Sequence, residues 1–311
     1  MKIIAAFFRL IRWPNLVFIA ITQLLFEYCI YRHVYGNTSG GTAETRQLLF
    51  LVIASVLIAA AGYIINDYFD LNIDQVNKPG KVVVNVIISR RWVIFWHMFL
   101  SLLGLFFTVL ALPVAEYWHL VLGNLASIIL LWFYSTNLKK QLLIGNVLIS
   151  LLTAWVIGII FFSKYLLKIN GPLVVDHNQI RFFRLTILYA SFAFIISLIR
   201  EVIKDMEDME GDRKYGCRTM PIVWGVNASK VFVAVWIIVL VAVLIILQFY
   251  VLPFGWWLSV LYCLLLIIVP LIWILLKLFK ARTSEDFHRL STVVKLVMFT
   301  GILSMFFFRI Y

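Results

Sequence analysis

Residues Leu48 to Asp74 read LLFLVIASVLIAAAGYIINDYFDLNID, and the first 19 of them, up to Asn66, hold no charged side chain. A run this long and apolar matches the roughly 20 residues a helix needs to cross a bilayer core of about 30 Å. Apolar side chains follow one another without in–out alternation, so the run is a helix and not a barrel strand. Where it ends, Asp67, Asp70 and Asp74 arrive within a few positions.

Eight further runs of the same kind flank this one: Pro14–Tyr31, Trp92–Pro113, Trp118–Ser135, Leu142–Phe162, Phe182–Ile199, Val231–Tyr250, Pro253–Leu276 and Leu290–Phe308. Of the 311 residues, 63% are apolar and 14% charged, with a mean hydropathy of +0.99. Soluble domains are nearer half apolar, and that class is excluded. Nearly all the length is used by spans, which leaves no room for a separate soluble catalytic domain. The chain reads as an all-α membrane protein of one domain, 1–311, with nine transmembrane helices and a cavity opening near the cytoplasmic face. A cytoplasmic N-terminus puts 18 basic residues on the inner side and 7 on the outer, the bias expected of that orientation. Arg9 and Arg12 interrupt the first apolar stretch and no small-residue cleavage site follows, which argues against a cleavable signal. The expected surroundings are a lipid bilayer, as a multi-pass protein of a bacterial inner (cell) membrane, with no nucleic-acid partner. Cys29, Cys217 and Cys263 have neither ligand spacing nor obvious pairing.

The placement of acid carries the chemistry. Nine of the 15 acidic residues fall in two short stretches: Asp67, Asp70 and Asp74, then Glu201, Asp205, Glu207, Asp208, Glu210 and Asp212. Both lie at cytoplasmic ends of spans in this orientation. Like charges so crowded, at a membrane boundary, call for a cation. Asn66, Asp70 and Asp74 are spaced i, i+4, i+8, and so form one stripe on a continuous helix. Asp205, Asp208 and Asp212 form a second, with Glu201 a turn earlier. Two such stripes facing each other would cage hard divalent ions. Mg²⁺ takes one or two carboxylates and completes its shell with water and substrate phosphate. The substrate expected is therefore a diphosphate, with Lys78, Lys81, Lys139, Arg213 and Lys214 sharing its charge. The alternative, acids merely solvated in loops, is disfavoured because the arrangement recurs: span, acidic stripe, basic loop with Gly or Pro, span.

At these residues the sequence resembles the UbiA-type intramembrane prenyltransferases. Asn66-Asp67-Tyr68-Phe69-Asp70-Leu71-Asn72-Ile73-Asp74 with Asn77-Lys78-Pro79 is similar to that family's first Asp-rich motif. Lys204-Asp205-Met206-Glu207-Asp208-Met209-Glu210-Gly211-Asp212-Arg213-Lys214, continuing to Gly216, Arg218-Thr219-Met220-Pro221 and Gly225, resembles the second. Arg12 and Asn15, and Tyr134-Ser135 with Lys139, resemble further family positions. The resemblance covers nearly the whole chain. It implies nine spans and Mg²⁺-dependent transfer of a polyprenyl group from a prenyl diphosphate to an acceptor. It also implies Asn66, Asp70, Asp74, Asp208 and Asp212 as metal-site residues, supported by Asp67 and Asp205. Asp70, Asp74, Asp208 and Asp212 are the catalytic set; Lys78, Lys139, Arg213 and Lys214 are the diphosphate contacts. After Pro79 the sequence departs from the family pattern, reading Gly80-Lys81-Val82-Val83-Val84-Asn85, which bears on the acceptor. The second motif is most similar to the branch whose acceptor is geranylgeranylglycerol phosphate. Branches prenylating homogentisate, other quinone precursors or chlorophyllide are the alternatives.

Breaking the carbon–oxygen bond leaves charge on the diphosphate, for Mg²⁺ and basic groups to stabilise, and an allylic cation that favours aromatic walls. Arg12, Asn15, Tyr68, Lys81 and Tyr134 are the candidates for lining the acceptor or the cation. Arg200 beside Glu201 reads as a structural ion pair, Glu27 as a hydrogen-bonded structural carboxyl, and His97 and His119 as structural. Asn37-Thr38-Ser39 matches a glycosylation sequon. A transporter is the rival from another class, but it would place charge at mid-span. A non-catalytic metal- or lipid-binding protein is the second rival, and diphosphate release separates all three.

Overall fold

The computed structural model describes residues 2–36, 41–164 and 176–311. The Asn37-Thr38-Ser39 sequon lies outside the described residues. Among those residues, nine helices are long and apolar enough to cross a membrane: Trp13–Tyr35, Thr42–Phe69, Arg90–Ala111, Val114–Thr136, Ile144–Lys164, His177–Glu207, Val226–Phe254, Trp257–Leu278 and Ser284–Ile310. They are called spans one to nine below. Among the described residues, β pairing amounts to one isolated bridge between Val84 and Ile88.

Most spans run past their apolar stretches, because helical hydrogen bonding continues into polar turns such as Thr42–Gln47 before Leu48. Three boundaries differ from the apolar runs for local backbone reasons. Pro253 belongs to a 3₁₀ turn, Leu252–Phe254, that closes span seven before Gly255 turns the chain at φ 77°. Pro113 caps span four, since Leu112 is already extended. Leu142 and Leu143 precede span five, and Leu143 adopts a φ of 57°. A short helix that the apolar runs did not indicate, Lys2–Leu10, precedes span one. It buries Ala6 and Leu10 while Ile3, Ile4 and Phe8 face outward. Arg12, at φ 51° and ψ 51°, then turns the chain into span one.

The chain packs as two compact units, Met1–Leu138 with Trp155–Ile187, and Lys139–Ala154 with Leu188–Tyr311. In the first unit, span two is central, packed by spans one, three and four. A Cβ at Gly104 of span three would lie 2.7 Å from Ile58 Cγ1 and 3.3 Å from the Ala54 carbonyl. Small residues at such crossings let helix backbones approach in lipid, where no hydrophobic force drives them together. His97 Nδ1 sits 3.0 Å from the Ala61 carbonyl across the same pair, and Asn124 Nδ2 donates to Thr108 Oγ1 at 2.8 Å between spans three and four. Gly104→Leu is expected to overpack this crossing by about 1–3 kcal/mol. Thermal unfolding of the purified protein should shift down correspondingly, and an unchanged midpoint would mean the crossing is looser than its distances.

The second unit buries Ile199, Ile203, Ile237, Leu271, Ile274 and Val294 between spans six to nine. Lys230 Nζ donates to the Ala281 carbonyl at 2.6 Å, and Thr283 with Asp286 forms a capping box that starts span nine.

Candidate active site

The first acidic stretch does not continue as one helix, as its spacing predicts. Span two ends at Phe69, and a short helix, Leu71–Asn77, follows. Asp70 is the break, at φ −86° and ψ −2°. This bridge region is sparsely populated and recurs in active sites. Backbone hydrogen bonds nevertheless persist through it, from Asp70 N–H to Asn66 O, Asp74 N–H to Asp70 O and Lys78 N–H to Asp74 O. The bonds at positions 70, 74 and 78 thus bridge the bend, while the helix itself is interrupted at Asp70. Asp is a weak helix former whose side chain competes for local hydrogen bonds, which suits it to such a break.

Side chains around the bend are tied together. Asn66 Nδ2 donates to Asp70 Oδ2 at 2.8 Å. Arg12 Nη2 donates to Asp67 Oδ1 at 2.6 Å, and its guanidinium lies 5.1 Å from the Tyr63 ring. Asp67, foremost, raises the Arg12 pKa above its usual value. Asp74 is pushed up to about 6, chiefly by burial and then by Asp70 and Asp67, against the pull of Arg12 and Lys78. The first motif is thus short of positive charge even with Arg12 in place.

The second stretch repeats the device. Span six ends at Glu207 and the helix Met209–Lys214 follows, with Asp208 between them at φ −96° and ψ 8°. Asp208 N–H bonds to Lys204 O at 2.9 Å and Asp212 N–H to Asp208 O at 3.2 Å. Here too the single helical stripe gives way to a bend at the middle aspartate. Asn146 of span five donates to Asp205 Oδ2 at 2.8 Å. The sequence reading missed Asn146, since one Asn in an apolar run carries no signal of its partner. Glu207 is a structural carboxylate, held by His288 Nδ1 at 2.8 Å and Ser291 Oγ at 3.2 Å. Arg200 pairs with Glu201 at 3.0 Å, the structural ion pair expected, and Lys204 adds a contact to Glu201 at 3.4 Å.

The other candidates distribute as follows. Lys78 is half-buried at the end of the first motif, while Arg213 and Lys214 are exposed in the last turn of the second. Lys139 lies in the 3₁₀ turn Leu138–Lys140, and the Lys140 carbonyl accepts from Arg218 N–H at 2.7 Å. Lys81 lies in the turn Pro79–Lys81, which Arg9 holds through the Gly80 carbonyl at 2.8 Å. Asn15 occupies the first turn of span one. Tyr68 packs with the first unit's core and takes the Arg90 guanidinium 5.1 Å from its ring centre, so its ring already serves one cation. Tyr134 is half-buried in the last turn of span four.

Among the described residues, no group of three or more His, Cys, Asp or Glu side chains stands close enough to hold a metal ion by itself. Mg²⁺ asks for less, one or two carboxylates with water and phosphate oxygens completing the octahedron. The donor chemistry of both bends, hard carboxylate oxygens with positive charge in deficit around Asp74, fits that ion.

A model of the UbiA prenyltransferase family matches residues 34–303. A digeranylgeranylglyceryl phosphate synthase of Saccharolobus solfataricus is 29% identical over 265 residues, covering 84% of each chain. Among solved structures, one reported for digeranylgeranylglyceryl phosphate synthase in membranes aligns over 98% of this chain and 99% of that one, with a TM-score of 0.60 at 22% identity. A UbiA homologue from Archaeoglobus fulgidus bound to GPP and Mg²⁺ aligns over 96% and 99%, with a TM-score of 0.55 at 14% identity.

Proposed function

Because the chain belongs to the UbiA prenyltransferase family, we propose that it moves a polyprenyl group from its diphosphate onto the hydroxyl oxygen of a glycerol phosphate lipid, geranylgeranylglycerol phosphate. It is a prenyltransferase and an integral, multi-pass membrane protein. The observation that carries the site reading is the repeated bend: Asp70 and Asp208 hold the same bridge conformation at the ends of two spans, each with a second aspartate one turn on. All 311 residues act as one domain in this reading. Its place in this reading is a bacterial cell membrane with the N-terminus inside, although relatives such as those of Saccharolobus solfataricus and Pyrococcus abyssi are archaeal.

Asp70 and Asp74 in the first motif, and Asp208 and Asp212 in the second, would hold Mg²⁺, with Asn66, Asp67 and Asp205 supporting. When bound, that ion supplies Lewis-acid stabilisation of the charge gathering on the leaving diphosphate. Asn66 fixes the rotamer of Asp70, Arg12 that of Asp67 and Asn146 that of Asp205, so the carboxylates are aimed before substrate arrives. Lys78, Lys139, Arg213 and Lys214 donate charge-assisted hydrogen bonds to the diphosphate oxygens. Tyr134 offers a π-face to the allylic carbon, and Asn15 and Lys81 belong to the acceptor side. The acceptor oxygen attacks that carbon, the carbon–oxygen bond to diphosphate breaks, and the hydroxyl proton is lost to solvent or phosphate.

The acceptor assignment is supported by the second motif and by the names of the relatives. It is tested by giving the purified protein a mixture of prenyl diphosphates with either geranylgeranylglycerol phosphate or homogentisate, and identifying products by mass spectrometry. An ether product that disappears on Mg²⁺ chelation and returns on its re-addition is expected. Prenylated homogentisate with no activity on the glycerol lipid would move the protein to the aromatic-acceptor alternative; no diphosphate release from any donor would favour the transporter or scaffold reading.

Orientation has its own test. Single cysteines at Asn77 and Gly216 should react with an impermeant maleimide only from the cytoplasmic side, and one at Asn178 only from outside. Labelling of Asn77 and Gly216 from opposite sides would separate the two motifs and end the shared-substrate reading.

A further inference from the structure

We propose that the first unit carries a second binding site, for a primary ammonium group, at the end of its helices remote from the first acidic motif. A cavity of about 320 Å³ there is lined by Glu27, Tyr31, Glu44, Glu116, Tyr117 and Lys164, among others. Glu44 and Asn66 share span two, so at 1.5 Å per residue the cavity and the motif are roughly 33 Å apart along the axis. That is about the thickness of a bilayer core. The proposed reaction assigns it no role.

Among the described residues lining this cavity, three carboxylates stand with one ammonium. Glu27 is 1% exposed; its Oε1 accepts from Lys164 Nζ at 2.8 Å. Its Oε2 is buried with no hydrogen-bond partner, and so is Oε2 of Glu44. Buried carboxylate oxygens without donors are costly, and the cost is removed by a ligand that brings N–H groups and positive charge. Lys164 displays the mode of recognition: its ammonium meets a Glu27 oxygen and lies 4.3 Å above the centre of the Tyr31 ring. A second ammonium would sit in the cavity against Glu44 and Glu116 and draw the buried, unpartnered Oε2 atoms of Glu27 and Glu44 toward it.

Backbone irregularity is concentrated at the same place. Glu27 and Tyr31 both ride on a π turn, Phe26–Tyr31, and Tyr117 has non-helical φ −113° and ψ 29° within span four. Such turns inside helices recur at functional sites. The ligand is an organic ammonium, from a soluble amine or from the headgroup of an aminolipid, and its N–H donors matter as much as its charge.

The test uses the full chain in nanodiscs of phosphatidylglycerol. In one arm ethanolamine is titrated by calorimetry; in the other, phosphatidylethanolamine is added and its retention is counted by native mass spectrometry. E44Q/E116Q is the main variant, because these two side chains are half-buried and exposed and should not disturb folding. Buried E27Q is the second. Wild type should bind in at least one arm, and E44Q/E116Q should weaken that binding at least about tenfold, or 1.4 kcal/mol, with prenyl transfer unchanged. The responding arm identifies the source of the ammonium. Tetramethylammonium, which lacks N–H donors, should compete poorly. Absence of binding in both arms, or equal binding by wild type and E44Q/E116Q, overturns the proposal.

Discussion

Asp70→Ala and Asp208→Ala should each cut prenyl transfer by at least about 10²-fold at saturating Mg²⁺, while membrane insertion and yield stay near wild type. Each aspartate is the middle residue of its motif and sits where the helix bends, half-buried and not in a packed core. Alanine accepts a φ near −90° and ψ near 0°, so the bend survives. What is lost is a hard oxygen donor. At Asp70 the acceptor of the Asn66 amide goes with it. If the carboxylates act only in holding the leaving diphosphate and its ions, kcat and kcat/KM should fall together. Asp70→Asn provides the finer comparison: it keeps size and hydrogen bonding but loses charge, and it should resemble alanine in turnover and wild type in thermal stability. Near wild-type turnover of both alanine variants would eliminate the two-motif metal site. Loss in only one would assign the chemistry to that motif alone.

The spans were legible because each is a long run without charge, and lipid leaves the backbone of such a run no choice but a helix. Helix ends were not. No apolar run marks Thr42–Gln47 or His177–Arg181, yet both continue their helices, since a helical hydrogen bond costs little to extend once nucleated. The helix Lys2–Leu10 was hidden because it is too short to cross a membrane and ends among arginines. At the motifs, the spacing correctly marked Asn66, Asp70 and Asp74 as neighbours in the ladder but could not reveal the bend at Asp70. A change of ψ at one residue leaves i, i+4 spacing untouched. Partners distant in sequence were likewise out of reach. Glu27 reads as a hydrogen-bonded carboxyl, and so it is, but its partner Lys164 lies 137 residues away. Asn146 meets Asp205 across 59. The recurrence of the acidic stretches proved the most durable signal, because the two bends share dihedral angles as well as composition.

Arg12 is where sequence and structure lead to different experiments. As a surplus cation near the first span it would serve an acceptor's phosphate, and its loss would raise the acceptor KM alone. Its guanidinium instead meets Asp67 at 2.6 Å, with the two side chains 36% and 20% exposed. Removing one partner of a partly desolvated pair costs more than the pair is worth, because the other charge is stranded. Here the stranded carboxylate stands beside Asp70 and Asp74, and burial, Asp70 and Asp67 already raise the proton affinity of Asp74. Arg12→Gln should therefore damage the donor side: kcat/KM for the prenyl diphosphate is expected to fall about 10-fold or more, equivalent to about 1.4 kcal/mol, with a smaller change in the acceptor KM. Asp67→Asn made in the Arg12→Gln background should recover part of that loss, since it neutralises the charge that Arg12 no longer balances. A double-mutant cycle across the two positions measures the coupling directly. If Arg12→Gln raised the acceptor KM with donor kinetics unchanged, and Asp67→Asn gave no recovery, the ion pair would be incidental and Arg12 would return to the acceptor's phosphate.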